Sequence, residues 1–242
     1  MANRSCGHLI VLLLVATCGV AQADSDLSTH LHGDCLVFDK FGDNGQRDLM
    51  VVPLRDEAQL KVTGRGRMAP VPYIDAYASQ GTWLIALYRD RVLVYDVRDP
   101  GAPALATEFH LKNQGQQPGY SQIVRIDGGH FVLLSAVSTA ELQAEGDDPR
   151  KWNTVDQART PSLQAKARSE PADSAFERSK NISDHPEPMV LKETARFRYQ
   201  LVWQTRTGQA EVVHTKVVQK IDKASGQVVS ELALGSETET ID

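Results

Sequence analysis

Apolar residues in this chain fall in short runs separated by tight polar turns. Trp83–Tyr88 (WLIALY) and Arg91–Val97 (RVLVYDV) are parted only by Arg89-Asp90, which predicts a β-hairpin. Gln122–Ile126 and His130–Leu134 repeat the device around Asp127-Gly128-Gly129, where Asp-Gly is expected to supply a positive φ. A third hairpin is predicted from Tyr199–Gln204 and Glu211–Ile221 across Thr207-Gly208, and Ser225-Gly226 leads into a last strand at Val228–Leu234. No 3.6-residue period is sustained through these regions, so the fold class is all-β.

The middle of the chain breaks this pattern. Residues 141–188 carry Pro149, Pro161, Pro171, Pro186 and Pro188, many charges and few large apolar side chains. The stretch is read as an insertion on the surface of one domain, with short helices allowed around Pro149–Arg159 and Ser162–Ser169. The alternative is a linker, but the hairpins after it total only about 50 residues, marginal for an independent fold. One β-rich domain over 24–242 is therefore expected.

The N-terminus carries an address. Arg4, the apolar run Leu9–Val15 (LIVLLLV) and Ala21-Gln22-Ala23 match a signal peptide, with cleavage after Ala23 and export to the periplasm or beyond. The run is short for a membrane span. Lipid anchoring at Cys18 is the alternative, though Thr17 fits that pattern poorly.

Export leaves little cysteine chemistry. Cys6 and Cys18 leave with the signal, and Cys35, followed by Leu36-Val37-Phe38, is expected to be buried as a small hydrophobe. Of 26 basic residues only Arg4 is lost, so 25 stand against 31 acidic ones, a net charge of −6. That balance argues against nucleic acid or an anionic membrane surface as the main partner.

Residues 91–105 (RVLVYDVRDPGAPAL) resemble the repeat of exported bacterial β-propellers, of the form LVIVDVSDPANPVLV. The physics is consistent with this. A strand ends at Asp96, Asp99-Pro100 begins a turn, Pro103 fixes the exit, and Leu105–Leu111 returns as a strand. The resemblance implies a propeller-like body of about four blades at roughly 40 residues each. An open sandwich or barrel of antiparallel hairpins is the alternative.

The loop DKFGDNGQRDL (39–49) offers Asp39, Asp43, Asn44 and Asp48 around Gly42 and Gly45. It is similar to the Asp-x-Asn-x-Asp-Gly-x-x-Asp calcium loops of integrin-type (FG-GAP or VCBS) propeller repeats, which a strand follows as Leu49–Val52 does here. Counted from Asp39, Phe41 stands where a ligand belongs and Asp48 falls one residue late. The favoured reading is a strand–turn–strand with polar capping, and bound calcium is the alternative.

Other chemistry is sparse. His30 and His32 would share one face of a strand, the spacing of a metal site, beside Asp34. His110, His130, His185 and His214 are scattered, and Trp83, Trp152 and Trp203 are far apart in sequence. Tyr73–Tyr77 (YIDAY) and Tyr120-Ser121 are candidate partner contacts. The chain lacks G-x-S-x-G, S-x-x-K, H-E-x-x-H, G-x-x-x-x-G-K and C-x-x-C.

These observations favour a non-catalytic β-protein that binds a macromolecular partner in the cell envelope, with no cofactor beyond the calcium alternative. The propeller resemblance implies a narrower form, an inhibitor or immunity protein against a cell-wall-degrading enzyme. The rival is a metal-dependent envelope hydrolase using His30, His32 or the 39–48 loop.

Overall fold

Strands whose apolar runs are unbroken need cover on both faces, because successive side chains point to opposite sides. The computed structural model supplies that cover by stacking small antiparallel sheets. It describes residues 29–41, 46–57, 59–111, 119–135, 139–157, 188–209 and 211–240.

Among the described residues sixteen strands form four four-stranded meanders, each strand pairing antiparallel with the next within its sheet. The first sheet is β1 (Thr29–His32), β2 (Cys35–Phe41), β3 (Arg47–Pro53) and β4 (Gly64–Arg67). The second is β5 (Ala76–Gln80), β6 (Trp83–Tyr88), β7 (Arg91–Asp96) and β8 (Ala104–His110). The third is β9 (Gln122–Asp127), β10 (His130–Leu134), β11 (Thr139–Gln143) and β12 (Asn153–Gln157). The fourth is β13 (Met189–Glu193), β14 (Phe197–Thr207), β15 (Glu211–Asp222) and β16 (Val228–Thr240). Four meanders with the opening strands β1, β5 and β9 side by side make a propeller-like all-β fold.

Alternation along each strand assigns its side chains to two different seams. Val37, Leu49 and Val51 pack with Tyr77, Leu84, Ala86, Leu93 and Tyr95 between the first and second sheets. The intervening residues Leu36, Phe38 and Val52 turn the other way, onto Tyr199, Leu201, Val218 and Leu234 of the fourth sheet. Trp83, Ile85, Leu87, Val92 and Val94 meet Ile123, Phe131, Leu133, Ala140 and Leu142 between the second and third sheets. The sheets therefore follow one another as fourth, first, second, third. The first sheet of the chain is thus clasped between the second and the last.

All the predicted hairpins form, with differences that have physical causes. The Asp127–His130 turn closes without a positive φ at Gly128 or Gly129, contrary to expectation. Gly129 is required instead because a Cβ there would strike the carbonyl of Ala144. Among the described residues Arg89 is the non-glycine residue that takes a positive φ, at 51°. On β4, Gly64 and Gly66 let the backbone press onto the Pro100–Pro103 turn, where any Cβ would meet the carbonyl of Pro100 or Pro103. This couples the 91–105 stretch to the first sheet.

The expected insertion starts too early at 141. Glu141–Gln143 belongs to β11, and Asn153–Gln157 is β12, paired in full register with β11. The helix allowed around Pro149–Arg159 shrinks to one 3₁₀ turn, Pro149–Lys151, capped by Asp148. The second allowed helix, 162–169, and the signal segment lie outside the described residues.

Candidate functional site

β1 and β5 lie side by side, and their facing side chains create the most chemically distinctive cluster among the described residues. His30 and His32, two apart on β1, both turn toward Ser79 of β5. Ser79 Oγ lies 2.7 Å from His30 Nε2 and 2.8 Å from His32 Nδ1. A hydroxyl has one proton, so it donates to one ring and accepts N–H from the other. Both rings are held neutral. Burial drives the His30 pKa down to about 4, assisted by His32 and Arg125, and burial lowers that of His32. Arg125 of β9 is anchored beside them by the carbonyls of Ser79 and Gly128, with its guanidinium over the Phe131 ring.

One step along the same seam is a buried ionic network. Asp39 is fully buried, its Oδ2 paired with Arg47 Nη1, and its Oδ1 accepts from Tyr77 Oη at 2.7 Å. Arg47 also donates through Nε to the carbonyl of Pro72 at 2.5 Å and stacks on Phe41. Burial and the Asp39 charge hold the Tyr77 phenol well above its ordinary pKa. The charges are satisfied locally, as a low-dielectric seam requires.

The 39–49 stretch is the β2–β3 hairpin. Asp39 stands opposite Leu49 and Lys40 opposite Asp48, so Asp39 and Asp48 project from opposite faces of the sheet. Asp48 Oδ2 accepts from Arg65 Nε at 2.6 Å. The hairpin therefore does not bring these two carboxylates to one ion. Asp43 and Asn44 lie outside the described residues.

The remaining candidates disperse. His130 meets Glu141 at 3.0 Å, His110 meets Glu108 at 3.0 Å, and His214 meets Thr205 at 3.0 Å. His185 is outside the described residues. Trp83 and Trp152, distant in sequence, come together edge to face with ring centroids 6.4 Å apart in the seam between the second and third sheets. Tyr77 and Tyr120 are buried, while Tyr73 is half-exposed. Cys35 is a buried free thiol, as expected, and burial raises its pKa.

Sequence reasoning missed the platform at the β6–β7 turn. Tyr73 and Tyr88 pack edge to face with centroids 5.1 Å apart. Arg89 lies over the Tyr88 ring, and its Nε donates to Tyr73 Oη at 3.3 Å. Its backbone N–H donates to Asp75 Oδ2 at 2.9 Å, and its backbone bridges to Tyr120. Gly119 permits that approach, because a Cβ there would lie 2.7 Å from the Arg89 Cβ. No described residue accepts from the terminal nitrogens of Arg89. The signal in the sequence was the polar turn Arg89-Asp90, but nothing local showed that Tyr73 would reach it.

No protein-family model matches the chain, and no curated protein is similar to it in sequence. Among solved structures, a protein from Lactobacillus plantarum aligns over 86% of this chain and 72% of its own, at 12% identity and a TM-score of 0.39. The N-terminal domain of Nup159 aligns over 90% of this chain at 11% identity and a TM-score of 0.35. The periplasmic gluconolactonase PpgL of Pseudomonas aeruginosa aligns over 85% at 16% identity and a TM-score of 0.36. The chain spans 61% and 54% of the latter two.

Proposed function

We propose that this chain is an exported, non-catalytic propeller-like module that binds a macromolecular partner in the cell envelope through the Tyr73–Tyr88–Arg89 platform. The observation that carries the reading is Arg89. An exposed non-glycine residue is held at positive φ and stacked on tyrosine, and no described residue accepts from the end of its fork. Backbone strain of this kind persists only where surrounding contacts over-determine it. Tyrosine and arginine are the side chains that most often anchor protein interfaces, and a preorganised guanidinium suits a partner carboxylate.

The inner cluster supports the non-catalytic part of the reading. Ser79 is shared between two imidazoles, and no described carboxylate bonds to either ring, so the described residues do not assemble an oriented nucleophilic triad here. Asp39 and Asp48 are engaged by Arg47 and Arg65, so this reading gives them a structural role. A narrower form of the proposal makes the partner a cell-wall-degrading enzyme that the module inhibits.

Affinity capture from envelope extract tests this, comparing the wild type with Arg89→Glu. The reading expects a stoichiometric partner that the wild type retains and the charge-reversed variant releases. Identical capture by both, or turnover of a substrate by the purified wild type, would count against it.

A further inference from the structure

The pair His30 and His32 has a property that the partner-binding reading does not use. Two imidazole nitrogens from alternate residues of one strand converge on a single point, the Ser79 hydroxyl, from 2.7 and 2.8 Å. Strand alternation makes the convergence durable: residues i and i+2 share a face, and the β1–β2 ladder fixes both, with His30 opposite Val37 and His32 opposite Cys35. The hydroxyl is a small group on a single χ1 bond, so a change of rotamer vacates the point between the rings.

We propose that His30 and His32 form an exchangeable site for a late first-row divalent cation, with copper bound best. Imidazole nitrogen suits copper, nickel and zinc, and affinity for a given nitrogen site peaks at copper. The ligating atoms are His30 Nε2 and His32 Nδ1. Ser79 guards the site and rotates aside when the ion enters. Among the described residues no three His, Cys, Asp or Glu side chains gather into a metal-holding group. Water therefore completes the coordination, and the site is labile rather than structural.

Arg125 gives the proposal its sharpest signature. Its guanidinium, tied to the carbonyls of Ser79 and Gly128, places a fixed positive charge near the rings. That charge opposes a second cation, so removing it must tighten metal binding. A histidine elsewhere on the surface would not respond.

The test uses tag-free mature protein titrated with CuCl₂ by calorimetry, with paramagnetic resonance on the loaded sample. The proposal expects one ion per chain and the splitting of two equatorial imidazole nitrogens. His32→Ala, at the more exposed end, should weaken affinity by about tenfold or more, in line with losses at metal sites. Arg125→Gln should tighten it, and Ser79→Ala should leave it equal or tighter. Unchanged affinity in both His32→Ala and Arg125→Gln, absence of saturable binding, or a single-imidazole spectrum overturns the site. Partner capture through Arg89 is independent of every one of these outcomes.

Discussion

The two seams that flank the second sheet are built on different principles. Between the second and third sheets the buried contact is apolar, with Trp83, Ile85, Leu87 and Val94 against Ile123, Phe131, Leu133 and Trp152, and Arg125 and Gln80 cross only at its margin. Between the first and second sheets an apolar centre is joined at its margin by Asp39, Arg47, Tyr77, His30, His32 and Ser79. The apolar seam depends on volume alone. The mixed seam depends on which protons are present, and its partners dictate one register between β1 and β5. Stability and specificity are thus placed in different interfaces of the same small body.

The largest predicted effect lies in the apolar seam. Phe131 is fully buried, and Phe131→Ala should cost about 3–5 kcal/mol. Urea unfolding at pH 5 and pH 8 should give the same loss, because the Arg125 guanidinium over its ring keeps its charge across that range. A cost that changed strongly with pH would blur the distinction between the seams.

Asp39→Ala should follow, at about 3 kcal/mol, because it strands the Arg47 charge in a buried site. The double variant Asp39→Ala/Arg47→Met should recover much of that loss, since the uncompensated charge is gone. Additive losses in the double variant would show that the ion pair is not the unit that matters.

The smallest effect is the pH response of the inner cluster. The folded His30 pKa, about 4, lies below the ordinary 6.5, so the unfolded chain binds more protons between those values. The contribution is complete above pH 6.5 and is lost as pH falls toward 4. Burial sets this window, assisted by His32 and Arg125, while Ser79 bonds the ring. His30→Gln should flatten the slope of melting temperature against pH between 6.5 and 4 relative to the wild type, while Phe131→Ala should keep the wild-type slope. Parallel slopes for His30→Gln and the wild type would contradict the assignment.

Much of the architecture was legible because local signals sufficed. The 83–97 and 122–134 hairpins are written in contiguous residues, and the unbroken apolar runs at 83–87, 92–95 and 131–134 announce burial on both faces. The limit appears at 141. Glu141 and the charged stretch after it suggest an insertion, yet Glu141 is buried beside His130 and holds a place in β11. A buried glutamate with a distant partner looks, in sequence, like a loop residue. The site was harder still. His30 and His32 were visible as a pair, but Ser79, 47 residues beyond His32, comes to them only through stacking of separate sheets. Asp39 and Asp48 lay in a loop similar to a calcium repeat, with Asp48 one residue late, and the ladder register sends them to opposite faces. Tyr73 and Arg89 meet across two strands, β5 and β6, and the turn between them, a distance no local pattern encodes.

The central claim is that recognition occurs at the β6–β7 turn and not in an inner cleft. A photo-crosslinking amino acid placed at Tyr73, and as a control at the exposed Val229 of β16, tests it most directly in the envelope of the source cells. The account predicts one discrete adduct from position 73 that disappears with Arg89→Glu, and none from position 229. Adducts of equal yield from both positions, or an adduct at 73 indifferent to Arg89, would contradict it.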